Sequence, residues 1–245
     1  MDRWINKVAV VTGASSGIGA AIVVELAKAG MVVIGLARRV DRVEELKKRL
    51  SEKDAARLYA MKCDVSKEDS ITNAFEEIIR QFSGIDVIVN NAGIVKHSLL
   101  LGDDDFQQLR DVIDTNVMGL ALCSRKAFRS MKERDVAGHI IHINSIAGHK
   151  VPNFPHMNMY AASKHAVTAI TETMRNELIM LGSKTKVTSI SPGVVRTDIV
   201  EGLHSSDEFP MLEGEDIAKA ILYVLGTPPH VQVHELTIKP VGEAF

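Results

Sequence analysis

Cysteine is nearly missing from this chain. Cys63 and Cys123 are the whole supply, and they have no metal-ligand spacing. That leaves no thiolate metal site to build and fits a reduced compartment. Excess charge is missing too. A net charge of −2 gives no electrostatic case for nucleic acid or an acidic membrane as partner. No low-complexity linker, internal repeat or block of like charge divides the chain. No apolar run is long enough to span a bilayer, and the short one that ends at Thr12 is too short for a signal core. These absences lead to the expectation of a cytoplasmic protein with no membrane span. What remains is 245 residues, 46% of them hydrophobic, enough for a sizeable core in one large α/β domain or two small ones.

Along the chain, apolar β-branched runs alternate with helical periodicity. Val8–Val11 reads as a buried strand, broken by Thr12-Gly13-Ala14-Ser15-Ser16-Gly17-Ile18-Gly19. Ile22, Leu26 and Ala29 then recur at helical spacing up to Gly30, a natural helix terminator. Further strands are expected at 31–37, 58–61, 85–89, 139–145, 186–190 and 231–238. Helices are expected near 43–50, 66–82, 103–132, 160–181 and 215–225. Glu45 and Arg49 have the four-residue spacing of a helical ion pair, and Ser66 with Asp69 has that of a capping box. Residues 194–213 are irregular and mixed apolar, as a lid would be. The alternation predicts a single Rossmann-type domain over 1–245, α/β in class, its doubly wound parallel sheet covered by helices on both faces. Ligands then belong at the carboxyl ends of the strands.

Two clusters carry chemistry. Tyr160 and Lys164 lie four apart, so a helix places phenol and ammonium on one face. A phenol of pKa about 10 is a poor base near neutrality. A cation at about 4 Å, in an effective dielectric of about 20, favours the phenolate by at most roughly 4 kcal/mol, or about three pKa units. Such a tyrosine can exchange a proton at neutral pH. A solvated helical pair has the same spacing, so the pair decides nothing by itself. The second cluster is Gly13-x-x-x-Gly17-x-Gly19 between an expected strand and an expected helix. Glycines let the backbone approach a phosphate, and the helix N-terminus supplies free N–H groups. Three residues between the first two glycines depart from the usual G-x-G-x-x-G.

Thr12 to Gly19, Asn90-Asn91-Ala92-Gly93, Ser145, Tyr160-x-x-x-Lys164 and Pro192-Gly193 stand in the order found in the short-chain dehydrogenase/reductase family, which the chain resembles over essentially its whole length. The resemblance implies that Tyr160 is the general acid/base and that Lys164 holds the nicotinamide ribose and lowers the tyrosine pKa. It implies that Ser145 bonds the substrate oxygen and that Asn116 binds a water linking the lysine to solvent. It places the cofactor along Gly13, Ser15, Ser16, Gly17, Ile18, Gly19, Asp64, Val65, Asn90, Ala92, Gly93, Pro192, Gly193, Val195 and Thr197, besides Tyr160 and Lys164. Asp64 is to hold the adenine amino group and Thr197 the carboxamide.

Cofactor choice is read at the end of the second strand. An acid there would bind the 2′-hydroxyl and repel a 2′-phosphate. The sequence has Ala37, then Arg38 and Arg39, whose planar donor forks suit a phosphate, so NADP(H) is expected.

An apolar pocket is expected from Ala147, Val151, Met157 and Val194, with Leu203 arriving from the lid beside Ser145 and Tyr160. Such a pocket favours a lipophilic alcohol or carbonyl compound. The Asp2-Arg3-Trp4 start, Gly35-Leu36-Ala37-Arg38-Arg39 and Val233-His234-Glu235-Leu236 resemble farnesol dehydrogenase-like members of the family. That implies an isoprenoid alcohol such as farnesol. Reduction of ketosteroids, ecdysteroid-type ketones included, is the alternative. A catalytically silent NADPH-binding regulator is the alternative of another class. The resemblance also implies a homodimer or homotetramer built on helices 103–132 and 159–181 and on the last strand. No metal is expected. His139 and His142 fall on opposite faces of one strand, and His149 and His156 have no partner at ligand spacing.

Overall fold

The structure is a computed structural model that describes residues 1–102, 106–154, 156–198 and 210–243. Seven strands form one parallel sheet in the order β3-β2-β1-β4-β5-β6-β7. They are β1 (Val8–Thr12), β2 (Val32–Ala37), β3 (Leu58–Lys62), β4 (Val87–Asn90), β5 (His139–Ile143), β6 (Lys186–Pro192) and β7 (Glu235–Ile238). The helices are α1 (Gly17–Lys28), α2 (Val40–Glu45), α3 (Glu52–Ala55), α4 (Glu68–Phe82), α5 (Phe106–Ile113), α6 (Leu120–Glu133), α7 (Tyr160–Met180) and α8 (Gly214–Gly226).

β1 shows why the runs are apolar throughout. Ala9 and Val11 face the layer containing α1 and α8, while Val8 and Val10 face the layer of α4, α6 and α7. Every residue of this strand is buried because both faces are covered. From β1 the chain winds outward through β2 to β3, then returns to place β4 on the other side of β1. The switch point lies between the carboxyl ends of β1 and β4, where such sheets hold ligands. Thr12 and Asn90 end those two strands.

Four local expectations are corrected. Arg49 pairs with Glu215 at 2.9 Å rather than with Glu45, because α2 tightens into a 3₁₀ turn at Leu46–Arg49 and loses the four-residue register. The Ser66 hydroxyl donates to Asp64 Oδ1 at 2.7 Å instead of capping a helix, and α4 begins two residues later, at Glu68. The long helix expected over 103–132 is interrupted by a π-helical turn, Asp114–Gly119, between α5 and α6. The last strand covers only Glu235–Ile238. Residues 231–234 stay outside the ladder, where the Val231, Val233 and His234 carbonyls accept bonds from Lys186, Thr188 and Arg175.

Candidate active site

The loops after β1, β4, β5 and β6 converge on one end of the sheet. After β1 the chain turns at Gly13, whose φ of +68° suits a residue without Cβ. A Cβ there would come within 2.8 Å of Ala92 Cα, and one at Gly19 within 2.2 Å of the Gly13 carbonyl oxygen. The two strand ends are tied together directly. Thr12 Oγ1 accepts the amides of Asn91 and Ala92, both at 3.0 Å, and Asn91 Nδ2 donates to the carbonyls of Thr12 and Gly13. The result is an open glycine turn at the start of α1, with Ser15, Ser16, Gly17 and Ile18 all partly exposed. Gly17 lies under the β6 exit, since a Cβ on it would stand 2.9 Å from Thr197 Cγ2.

Beside this turn, Ala37 is buried at the end of β2 and Arg38 and Arg39 are exposed. Arg39 reaches back to Ser15 Oγ at 3.5 Å. Burial acts to raise the Asp64 pKa, but hydrogen bonds from Ser66 and the charges of Arg38 and Lys67 outweigh it and hold the carboxyl below its usual range. Arg38 therefore already acts on this corner of the site. Val65 is buried behind it, its carbonyl packed against Gly119 of the π-helical turn. The Asn90 side chain points away from the turn. It donates to Ser124 at 2.8 Å inside the protein, and its Oδ1 is buried without a partner.

The second cluster is built by β5, the π-helical turn and the first turn of α7. Ser145 caps a one-turn helix at Ile146–Gly148, its Oγ accepting the Ala147 amide at 3.1 Å, and its side chain stands close enough to the Tyr160 phenol to act to lower that group's pKa. Lys164 is buried one turn beyond Tyr160. Its Nζ lies 5.7 Å from the centre of the tyrosine ring and donates to the Ile143 carbonyl at 2.8 Å. The π-helical turn carries Asn116 into the interior. Its Nδ2 donates to Ser163 Oγ and to the Ile94 carbonyl, both at 3.0 Å, and its Oδ1 accepts the Ile94 amide at 2.8 Å. Ser163 completes the chain by donating to the Tyr160 carbonyl at 2.6 Å. A helical bulge of this kind is a costly local irregularity that recurs at functional sites. Asn116, Ser145, Tyr160 and Lys164 are thus brought together. A Cβ at Gly93 would lie 3.5 Å from Asn116 Oδ1 and 3.9 Å from Lys164 Nζ, so this glycine borders the gap between them.

One electrostatic expectation is corrected. Lys164 was expected to lower the Tyr160 pKa. In the structure the phenol is raised, because desolvation outweighs the Ser145 hydrogen bond that lowers it. The Lys164 head group is directed at the Ile143 carbonyl instead of the phenol, and burial brings its own pKa down to about 8. Burial therefore favours the neutral form of both groups, the phenol and the amine.

Among the other named residues, Ala147 is buried, while Val151 and Met157 line a cavity of about 180 Å³ beside Ala161. Leu99, Leu100, Pro152 and Phe154 add to its mostly apolar wall. Val194 and Gly193 are partly exposed at the β6 exit, Pro192 ends the strand, and Val195 is buried. Leu203 lies outside the described residues, as does most of the expected lid. The lid's two legs meet where Val194 accepts the Leu212 amide and Leu212 accepts the Arg196 amide, both at 2.9 Å. Thr12, Asn91 and Ser163 stand inside the motifs of the sequence, but spacing alone assigns them no role; their bonds to the facing strand end, to Asn116 and to Tyr160 do.

The histidines do not gather. His139 bonds Thr188 and His142 bonds Thr171 and Ser124, and burial drives both imidazoles down to about 3. Among the described residues no three potential ligands cluster around one point.

The model of the short chain dehydrogenase family matches residues 7–208. The chain belongs to that family. Within it, the chain is 67% identical over 250 residues to a farnesol dehydrogenase of Aedes aegypti, covering 100% of both chains. Among solved short-chain dehydrogenases, its fold matches an alcohol dehydrogenase of Thermococcus sibiricus complexed with 5-hydroxy-NADP, with TM-score 0.85 and 28% identity over 97% of each chain. It also matches a 3-ketoacyl-(acyl-carrier-protein) reductase of Brucella melitensis complexed with NADH, with TM-score 0.84 and 25% identity over 96% of this chain and 98% of that one. Solved structures with this fold thus hold either type of nicotinamide cofactor.

Proposed function

We propose that this short-chain dehydrogenase interconverts a lipophilic alcohol and its aldehyde or ketone with NADP(H), and that the alcohol is an isoprenoid such as farnesol. The neighbourhood of Ser145 and Tyr160 carries the reading: two hydroxyl side chains stand close together, one turn from a buried ammonium, and Ala161, next to Tyr160 in the chain, lines a mostly apolar cavity.

The glycine turn fits the cofactor's pyrophosphate, because a Cβ at Gly13 would strike the Ala92 backbone and close it. The absence of an acid at Ala37 and the presence of Arg38 and Arg39 fit a 2′-phosphate. Asp64 offers the adenine side an ionised carboxylate, and Gly193, Val195 and Thr197 flank the nicotinamide end. When bound, the cofactor supplies or accepts the hydride. Ser145 donates to the substrate oxygen and fixes its position. Tyr160 passes its proton to that oxygen in reduction and takes it back in oxidation. Lys164 supplies positive charge beneath the tyrosine as it becomes phenolate. Asn116 holds Ile94 and Ser163, and through them the start of α7, in register.

The apolar wall favours a hydrocarbon tail over a sugar or a charged acid. The likeness to the Aedes aegypti farnesol dehydrogenase supports an isoprenoid. Segment 194–213 closes over that tail as a lid, and the copies assemble as a dimer or tetramer, which sedimentation at micromolar concentration checks. Buried free Cys63 and Cys123 fit a reducing cytoplasm. Among the described residues no helix is long and apolar enough to cross a membrane. The test is a panel of terpenols, terpenals, hydroxysteroids and ketosteroids assayed in both directions. Turnover of terpenols and terpenals supports the proposal, steroid turnover alone moves the function to the ketosteroid alternative, and no turnover leaves the silent regulator.

A further inference from the structure

The β6 exit is held from an unexpected direction. Gly193 donates its amide to the Ile238 carbonyl of β7 at 2.7 Å, which completes the sheet ladder. The next amide, Val194 N–H, donates to the Glu243 carboxylate at 3.1 Å, across 49 residues. That side chain is only 2% exposed. Its second oxygen lies 3.4 Å from Lys239 Nζ but makes no hydrogen bond. A carboxylate loses much hydration on such burial, and a single amide with one offset ammonium returns little of it. The carboxylate also fills the space beside Gly193 completely, since a Cβ there would fall 2.0 Å from Glu243 Oε2. One residue earlier, Gly242 turns with φ +89° and packs toward Pro210, where the lid segment returns. The tail thus touches both legs of the lid.

We propose that Glu243 is a positioning residue for the cofactor. Its carboxylate fixes the Val194 amide and so sets Val195–Thr197 over the glycine turn, where Thr197 meets Gly17. Gly193 is glycine because this carboxylate occupies the place of a side chain. The inference rests on the reading that Val195 and Thr197 flank the nicotinamide.

The test compares NADPH affinity, by enhancement of cofactor fluorescence, with the melting temperature of the cofactor-free protein. Glu243→Ala is expected to weaken NADPH about tenfold, the scale of one charge-assisted hydrogen bond, with little change in melting. Glu243→Gln still presents an acceptor and is expected to recover most of the loss. Gly193→Ala is expected to weaken NADPH at least as much, and adding Glu243→Ala to it to restore part of the affinity, because the new methyl no longer meets the carboxylate. Unchanged affinity in Glu243→Ala, or no recovery in Glu243→Gln, overturns the proposal. So does a Gly193→Ala defect that Glu243→Ala does not relieve, a comparison that remains informative if one single variant folds poorly. Thr197→Ala separates the two readings: weakened binding there with wild-type binding in Glu243→Ala refutes the clasp alone, and wild-type binding in both refutes the cofactor placement as well.

Discussion

Two glycine turns border the proposed cofactor site, and they are held in different ways. At the first, the Ala92 backbone leaves no room for a Cβ at Gly13, and the Gly13 carbonyl leaves none for one at Gly19. At the second, Gly193 is confined by one side chain from the far end of the sequence, Glu243. The first turn is a property of two adjoining strand ends, tied by Thr12 and Asn91. The second depends on the C-terminal tail finding its place. One wall of the proposed site is thus fixed by neighbouring strand ends and the other by a contact that is distant in sequence.

The largest effect separates the chemistry from either wall. Tyr160→Phe is expected to lower kcat at least about a hundredfold, the lower scale of general acid–base catalysis, while NADPH still binds. Turnover with each substrate and cofactor binding in the same preparation check this. Near-normal turnover would move the proton-transfer role elsewhere.

Next comes the first wall alone. Under the proposed function Arg38 meets a 2′-phosphate with charge-assisted bonds, worth roughly 1.5–3 kcal/mol, or about a ten- to hundredfold preference. The double change Ala37→Asp with Arg38→Leu is expected to reverse the preference toward NADH and to leave Tyr160 chemistry intact. The check is kcat/KM for both cofactors in wild type and double variant. Equal use of both cofactors by the wild type would reduce Arg38 to a surface residue.

A further prediction concerns stability and the strand beside the assembled side. His139 and His142 of β5 are held neutral, with pKa values brought from 6.5 to about 3. Their depressed folded pKa means that the unfolded chain binds their protons first as pH falls. Stability is present in full above pH 6.5 and is lost progressively down to about pH 3. Between pH 6.5 and 5 each histidine is expected to cost about 2 kcal/mol of unfolding free energy. Urea denaturation at the two pH values measures it, and His142→Asn should flatten the slope by about half. An unchanged slope would show that the imidazole protonates freely in the folded protein.

The contrast between the two turns also explains what could be read from the sequence. The Thr12–Gly19 turn announces itself because its geometry is local: a β-branched run, three glycines and a helical period occupy consecutive residues. The Tyr160–Lys164 spacing is legible for the same reason. The π-helical turn at Asp114–Gly119 is not, because the helical period continues through it and only the tertiary bonds of Asn116 to Ile94 and Ser163 favour the bulge. The direction of the tyrosine pKa is hidden on similar grounds. Helical spacing fixes that Lys164 is near, but not that its ammonium turns to the Ile143 carbonyl. Ser66 and Arg49 found partners outside their own helices, and a periodic pattern carries no trace of such partners. Glu243, 49 residues from the amide it holds, is another such case.

The most direct measurement follows the hydrogen itself. Farnesol carrying deuterium at its carbinol carbon is incubated with wild-type protein and NADP⁺, and the cofactor and product are analysed by mass spectrometry. The account predicts one deuterium in the reduced cofactor for each aldehyde formed, and essentially none of either with Tyr160→Phe. Aldehyde formed without deuterium in the cofactor, or no aldehyde above the Tyr160→Phe background, would contradict it.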